Sequence, residues 1–168
     1  LTMTYQEVLA AARENLTKCK ACPTCNGKAC ANNIPGPGSK GVGDTAMRNF
    51  NKWQEVRVNM DTISDVTAPD ASLEIFGKKF RFPFFAGPVG AVVAHYGDKH
   101  NDKSYNNVLV KACAEGGIAA FTGDGLDGTV MDVACEAIAA CGGMGVPTVK
   151  PWNLETIEAK MEKVKASG

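Results

Sequence analysis

The sequence predicts an α/β fold built on a parallel sheet, and three observations carry that prediction. Short apolar runs at Phe84–Ala86, Ile118–Phe121 and Val146–Val149 alternate with longer helical patterns, giving the order βαβαβα. Each run ends in small or turn-forming residues, beginning with Gly87-Pro88, Gly123 and Pro151. The composition is that of a globular chain, with 45% apolar and 21% charged residues in 168 positions, enough to build a hydrophobic core. Strands and helices in this order form parallel sheets with right-handed crossovers.

From the amino terminus, Thr4-Tyr5-Gln6-Glu7 is a capping box, with Met3 and Val8 placed as its hydrophobic staple, and it predicts a helix through about Leu16. Cys19, Cys22, Cys25 and Cys30 then fall within twelve residues. Between Ile34 and Gly43, four glycines and two prolines are too dense for helix or strand, so a linker is expected. Thr45–Trp53 reads as a short helix, and Val56–Val66 is ambiguous. This defines an expected division into an extension at 1–69 and an α/β part at 70–168.

In the second part, Leu73, Ile75 and Phe76 lead into Gly77-Lys78-Lys79, and Phe80 and Phe82 resume the alternation of a hairpin. Phe84-Phe85-Ala86 is expected to be a buried strand. Ser104 is the expected cap of a helix to Glu115 that Gly116 ends, and Ile118–Phe121 is a second buried strand. Thr129-Val130-Met131-Asp132 resembles a capping box, and Gly142-Gly143 stops its helix after Cys141. Val146–Val149 is the third strand. Asn153 caps the last helix, and Gly168 ends it where a fourth strand would be expected to follow.

Charge and hydropathy exclude some function classes. With 18 Lys+Arg against 18 Asp+Glu the chain has no net charge, so neither a nucleic-acid partner nor a membrane surface is expected. The apolar runs are too short to cross a bilayer. Met3 is followed by Thr-Tyr-Gln-Glu and not by a basic and then apolar stretch, so no signal peptide is visible and a cytoplasmic protein is expected.

Ligands of parallel α/β folds collect at the carboxyl edge of the sheet. Here that edge carries Ala86-Gly87-Pro88-Val89-Gly90, Thr122-Gly123-Asp124-Gly125 and Lys150-Pro151-Trp152. Small residues permit close approach of a flat ligand, Thr122 and Asp124 offer hydrogen bonds, and Lys150 offers a cation. Together they suit an anionic or electron-accepting ring. The alternative is that the glycines only turn the chain and Lys150 faces water. Neither a GxGxxG nor a GxxxxGK[ST] loop is present, which disfavours a dinucleotide Rossmann domain and a P-loop enzyme.

Phe50 to Val66, the hairpin Ser72–Lys79, Phe82–Pro88, the pair Ala94-His95 and Phe121-Thr122-Gly123 resemble, in order and spacing, the FMN-dependent α-hydroxy-acid oxidase and dehydrogenase family, which includes glycolate and lactate oxidases. The resemblance implies the amino-terminal part of a TIM (β/α)8 barrel, three βα units preceded by a helical Cys-rich extension and a β-hairpin. It implies FMN as cofactor, with the backbone of Gly87, Pro88 and Val89 lining the flavin. Thr122 takes the place of a second-strand serine that hydrogen-bonds the ring, and Lys150 that of a third-strand glutamine at the pyrimidine edge. A tyrosine pair that holds the substrate carboxylate in the family should fall near Pro35–Gly38 and at Trp152, and neither place has tyrosine. The family's catalytic lysine, histidine and arginine, and its flavin-phosphate site, come from later strands. The chain is therefore expected to pair with a carboxy-terminal half or a partner chain, to form homo-oligomers, and to be inactive alone.

His95 and His100, the only histidines, are expected to be structural. The spacing Cys19-x2-Cys22-x2-Cys25-x4-Cys30 brings four soft ligands into one loop and is close to iron-sulfur spacing, though a ferredoxin run has a last gap of three followed by proline. Zinc suits four thiolates equally well, and reduced or exchanging thiols that bind nothing are the other possibility. Cys113, Cys135 and Cys141 sit among alanines and valines and are expected in the core. Two further readings stand beside the flavoenzyme: a metal-binding or electron-relay module, and a structural half-barrel that needs a partner.

Overall fold

The structure is a computed structural model that describes residues 3–25, 28–30 and 45–167. The chain divides into two compact units, Leu1–Thr67 with Val93–Lys99, and Ala68–Val92 with His100–Gly168. The expected linker at 34–43 lies outside the described residues, as does Gly168.

The first unit begins with helix α1 (Tyr5–Asn15). Thr4 and Glu7 close its capping box: the Glu7 amide donates to Thr4 Oγ1 at 3.3 Å, and the Thr4 amide donates to Glu7 Oε2 at 2.7 Å. The Tyr5 hydroxyl donates to the Pro23 carbonyl at 3.0 Å, and the Thr17 amide to the Tyr96 carbonyl at 2.9 Å. These bonds hold the cysteine-bearing turn to its own unit. Helix α2 (Thr45–Trp53) follows where expected. Residues 56–66 form no helix or strand, which resolves the ambiguity there.

The second unit carries the sheet. Strands β1 (Leu73–Ile75) and β2 (Lys78–Phe80) form the antiparallel hairpin, turned by Phe76 and Gly77 at φ 53° and 70°. Strands β3 (Phe85–Ala86), β4 (Ala119–Thr122) and β5 (Gly145–Pro147) form a parallel sheet in the order β3-β4-β5. Phe85 pairs with Ala119, and Thr122 pairs with Pro147.

Between β3 and β4 in the chain come α3 (Val92–Tyr96), which from Val93 on belongs to the first unit, and α4 (Asp102–Gly116); α5 (Thr129–Ala140) connects β4 to β5, and α6 (Leu154–Ala166) closes the second unit. Helix α3 is absent from the sequence expectation because five residues are too few for a periodic pattern.

The core lies where α4 and α5 cover one face of the sheet: Val110, Cys113, Ala120, Ala137 and Ile138 are buried together, with Cys141 packed at their edge. Cys135 is buried on α5, so the three later cysteines behave as small apolar residues.

Several local expectations are corrected. Phe84 and Phe85 are not buried: they are 59% and 55% exposed, because Phe84 precedes the strand and stacks on Phe82, while Phe85 stands beside Phe121 on the sheet face that the helices leave open. The cap of α4 is Asn101, three residues before the expected Ser104. Ser104 is the return partner of this box, receiving the Asn101 amide at 3.0 Å while its own amide donates to Asn101 Oδ1 at 2.9 Å. Gly117, at φ 75°, supplies the left-handed stop. At the start of α5 no side chain of the Thr129 box caps the helix; Asp127 Oδ1 accepts from the Thr129 amide at 2.9 Å and from its hydroxyl at 2.6 Å. Asn153 caps α6 as expected. No helix of the described residues is long and apolar enough to cross a membrane.

Candidate functional site at the carboxyl edge of the sheet

The carboxyl ends of β3, β4 and β5 meet around residues 87–90, 123–125 and 150–152. Close approach begins at Gly123. A Cβ there would lie 1.9 Å from the Val89 carbonyl oxygen, so only glycine admits the β3 loop across the end of β4. Asn106 fixes the same residue from α4: its amide group donates to the Gly123 carbonyl at 3.2 Å and its Oδ1 accepts the Gly123 amide at 3.0 Å. Asn106 is wholly buried, and this pair of bonds satisfies it.

Next along the chain is Asp124, only 2% exposed. Its Oδ2 accepts from the Lys150 amide at 2.9 Å and from Trp152 Nε1 at 2.7 Å. Its Oδ1 accepts from the Gly125 amide at 2.9 Å and from the Lys160 ammonium. Lys160 comes from α6, is itself buried, and lies 5.3 Å from the centroid of the Trp152 ring. Burial raises the Asp124 carboxyl, but the bonds from Lys150, Lys160 and Trp152, with the Lys160 charge, outweigh it and hold the group below its ordinary value. A carboxylate engaged by four donors and held ionised is a fixed structural anion, not a proton acceptor for a substrate.

Lys150 is exposed, and among the described residues its ammonium has no ion-pair partner. It reaches back over the β3 loop: a Cβ on Gly90 would lie 3.9 Å from Lys150 Nζ and 3.0 Å from the Asp124 carbonyl oxygen. Thr122, the last residue of β4, is wholly buried, and its Oγ1 has no hydrogen-bond partner among the described residues. An unmet buried hydroxyl costs about 1–3 kcal/mol, which makes it a donor in search of an acceptor.

Of the residues expected from sequence to face a ring, Val89, Thr122 and Lys150 are thus brought to one edge, with Gly87 and Pro88 exposed beside them. A Cβ on Gly87 would meet nothing within 4 Å, so open space adjoins that backbone. An apolar cavity of about 310 Å³ lies elsewhere, between the hairpin and the open sheet face, lined by Phe80, Phe85, Phe121 and Val146.

The cysteine loop does not meet the metal expectation. Among the described residues no three His, Cys, Asp or Glu side chains are grouped so as to hold a metal ion, so the structure gives no support to a zinc or iron-sulfur site at Cys19, Cys22, Cys25 and Cys30. The chain turns sharply at Ala21, at φ 43°, and the Ala21 amide donates to Cys19 Sγ at 3.5 Å, which engages that sulfur locally; Cys25 stays exposed. Tyr96 of the same unit has its hydroxyl pKa raised, first by burial and then by the nearness of Cys19 and Cys25. His95 is half-buried with its ring edge-on to Tyr96 at 6.1 Å, and His100 is exposed.

A parallel sheet with polar and small residues gathered at its carboxyl edge is the arrangement of α/β enzymes that act on ligands held between strand ends. The family model for FMN-dependent dehydrogenase matches residues 37–168, and the chain belongs to that family. This bears out the resemblance to FMN-dependent hydroxy-acid oxidases and dehydrogenases, and it places the chain among FMN-linked oxidoreductases. Neither a curated protein nor a solved structure matches the chain.

Proposed function

We propose that this chain is the amino-terminal, flavin-facing part of a TIM-barrel oxidoreductase that uses FMN to oxidise a 2-hydroxy acid or a related small substrate. The observation that carries the reading is the Lys150 ammonium, exposed, without an ion-pair partner among the described residues and set beside Gly90 where three parallel strands end. The chemistry of the surrounding donors fits a flavin: an unmet hydroxyl at Thr122, a cation at Lys150 and open backbone at Gly87. In this reading the backbone of Gly87, Pro88 and Val89 lies along the ring, Thr122 donates to one of its heteroatoms, and Lys150 faces its pyrimidine edge. Bound FMN supplies the two-electron acceptor.

The chain's own contribution is to position and to bias charge. A cation at the pyrimidine edge favours the state of the ring that carries more negative charge, and so favours acceptance of electrons from the substrate. The Gly123–Val89 contact keeps the strand-end loops in register, which sets how closely a flat ring can approach. Asp124 does not take the substrate proton, since all its acceptor sites face protein donors.

The base and the carboxylate clamp belong, in this proposal, to the remaining strands. The barrel of this proposal takes roughly 250 residues, with residues 1–69 as an extension ahead of it and the other strands supplied by the same polypeptide or by a partner chain. Pairing at the sheet edges is also a route to homo-oligomers.

The test is direct. The polypeptide bearing this sequence, purified from its source without added flavin and then denatured, should release one equivalent of FMN per chain, identified by mass and by absorbance near roughly 450 nm. A colourless preparation that releases no FMN overturns the reading.

A further inference from the structure

We propose that Asp124 is a positioning residue for Lys150: its buried carboxylate anchors the Lys150–Trp152 turn, and its pairing with Lys160 leaves the Lys150 charge uncancelled. This rests on the flavin reading of the same edge and adds to it the part that makes the lysine effective.

The anchoring is visible in the bonds. One carboxylate oxygen, Oδ2, receives both ends of the turn, the Lys150 amide at 2.9 Å and the Trp152 indole at 2.7 Å. The turn is closed on itself by the Trp152 amide, which donates to the Lys150 carbonyl at 2.8 Å, with Pro151 between them restricting the backbone. The Lys150 side chain is long and exposed, so only its backbone can be fixed, and Asp124 fixes it.

The charge argument is separate. A lone buried carboxylate next to Lys150 would offset the field of the ammonium at the strand ends. Lys160 removes that problem from the opposite side: it meets Oδ1 in the interior, where its side chain is 7% exposed, and stacks beneath Trp152. Asp124 and Lys160 sum to zero, and the charge presented at the edge is that of Lys150. Neither Asp124, Lys160 nor Trp152 touches the ring in the proposed arrangement. Asp124 therefore acts through Lys150, and removing it should matter only while Lys150 is present.

The experiment uses the flavin-loaded polypeptide and its flavin-free form. K150M should weaken affinity for dithionite-reduced FMN by about tenfold, a change of about 1.4 kcal/mol. D124N should weaken it in the same direction, and D124N/K150M should be no weaker than K150M alone. W152F, which leaves the carboxylate in place and removes one bond to Oδ2, should give a smaller loss and keeps the test open if D124N does not fold. In flavin-free protein, D124N and W152F should speed hydrogen exchange at the Lys150 amide.

Two results overturn the proposal, and a third overturns the flavin reading on which it rests. If D124N costs as much affinity in the K150M background as in the native one, Asp124 acts independently of Lys150. If D124N and W152F leave both exchange and FMN affinity unchanged, the anchor does nothing. If Lys150 exchange responds but neither native protein nor K150M binds FMN, the anchor stands and the flavin reading beneath it fails.

Discussion

Lys160 and Asp124 form an ion pair inside the second unit, with side chains 7% and 0% exposed. The two residues are 36 positions apart and join α6 to the end of β4. A pair this deep repays the removal of its charges from water only because the remaining lone pairs of the carboxylate are also met, here by Gly125, Lys150 and Trp152.

That arrangement predicts an asymmetric cycle. K160M leaves a buried carboxylate without a counter-charge and should cost about 3 kcal/mol of unfolding free energy. Adding D124N removes the orphaned charge, so D124N/K160M should be more stable than K160M by about 1–2 kcal/mol. Urea denaturation of the four proteins checks both numbers. Simple additivity of the two losses would show that the pair is not coupled.

The steric seat at Gly123 predicts a second effect. In G123A the new methyl would meet the Val89 carbonyl oxygen at 1.9 Å, and the obstacle is backbone, which has no rotamer to yield. The β3 loop must move, at a cost of about 1–3 kcal/mol. G87A, by contrast, places its methyl in open space and should leave stability within about 0.5 kcal/mol. Thermal unfolding of the two variants separates a packed strand end from a glycine that merely turns the chain.

Acid sensitivity should begin at α5. The two bonds from Thr129, side chain then backbone, bring the Asp127 carboxyl down to about 2, with Lys103 adding to the effect. The unfolded carboxylate titrates near about 3.9, so between these values the unfolded chain binds more protons than the folded one. The stabilisation is fully present above about pH 4 and is lost as pH falls toward 2. Protection of the amides in the first turn of α5, relative to their intrinsic exchange at each pH, should fall through that window, and D127N should abolish this fall while lowering protection at neutral pH.

How legible all this was in sequence depends on the residue. Three strand ends were readable because small residues interrupt apolar runs there, and Thr122 and Lys150 stand at those interruptions. Strand burial was misjudged at Phe84 and Phe85, since an apolar run does not say whether both faces of its sheet are covered. Asp124 was visible as a polar residue at the edge, but its partner was not. Lys160 shares a helical stripe with Ile157 and Val164, and Asn106 shares one with Val110 and Cys113. A polar residue at i+3 or i+4 within an apolar stripe is the pattern that could have found both. The cysteine spacing was legible, but whether four thiols close in sequence converge depends on the backbone between them, and among the described residues no three such groups come together.

Thr122 offers a prediction in which stability and binding oppose each other. Its hydroxyl is buried with no hydrogen-bond partner among the described residues, so T122V keeps the shape and removes an unmet polar group. Flavin-free T122V should therefore be more stable than the native protein by about 1 kcal/mol, read by urea denaturation. If the hydroxyl is reserved for the ring, the same variant should bind FMN about fivefold to tenfold more weakly, because the lost bond is then made only in the complex. T122S retains the hydroxyl and should recover most of that affinity. Greater stability without weaker binding would mean that Thr122 is a packing residue whose unmet bond serves no ligand.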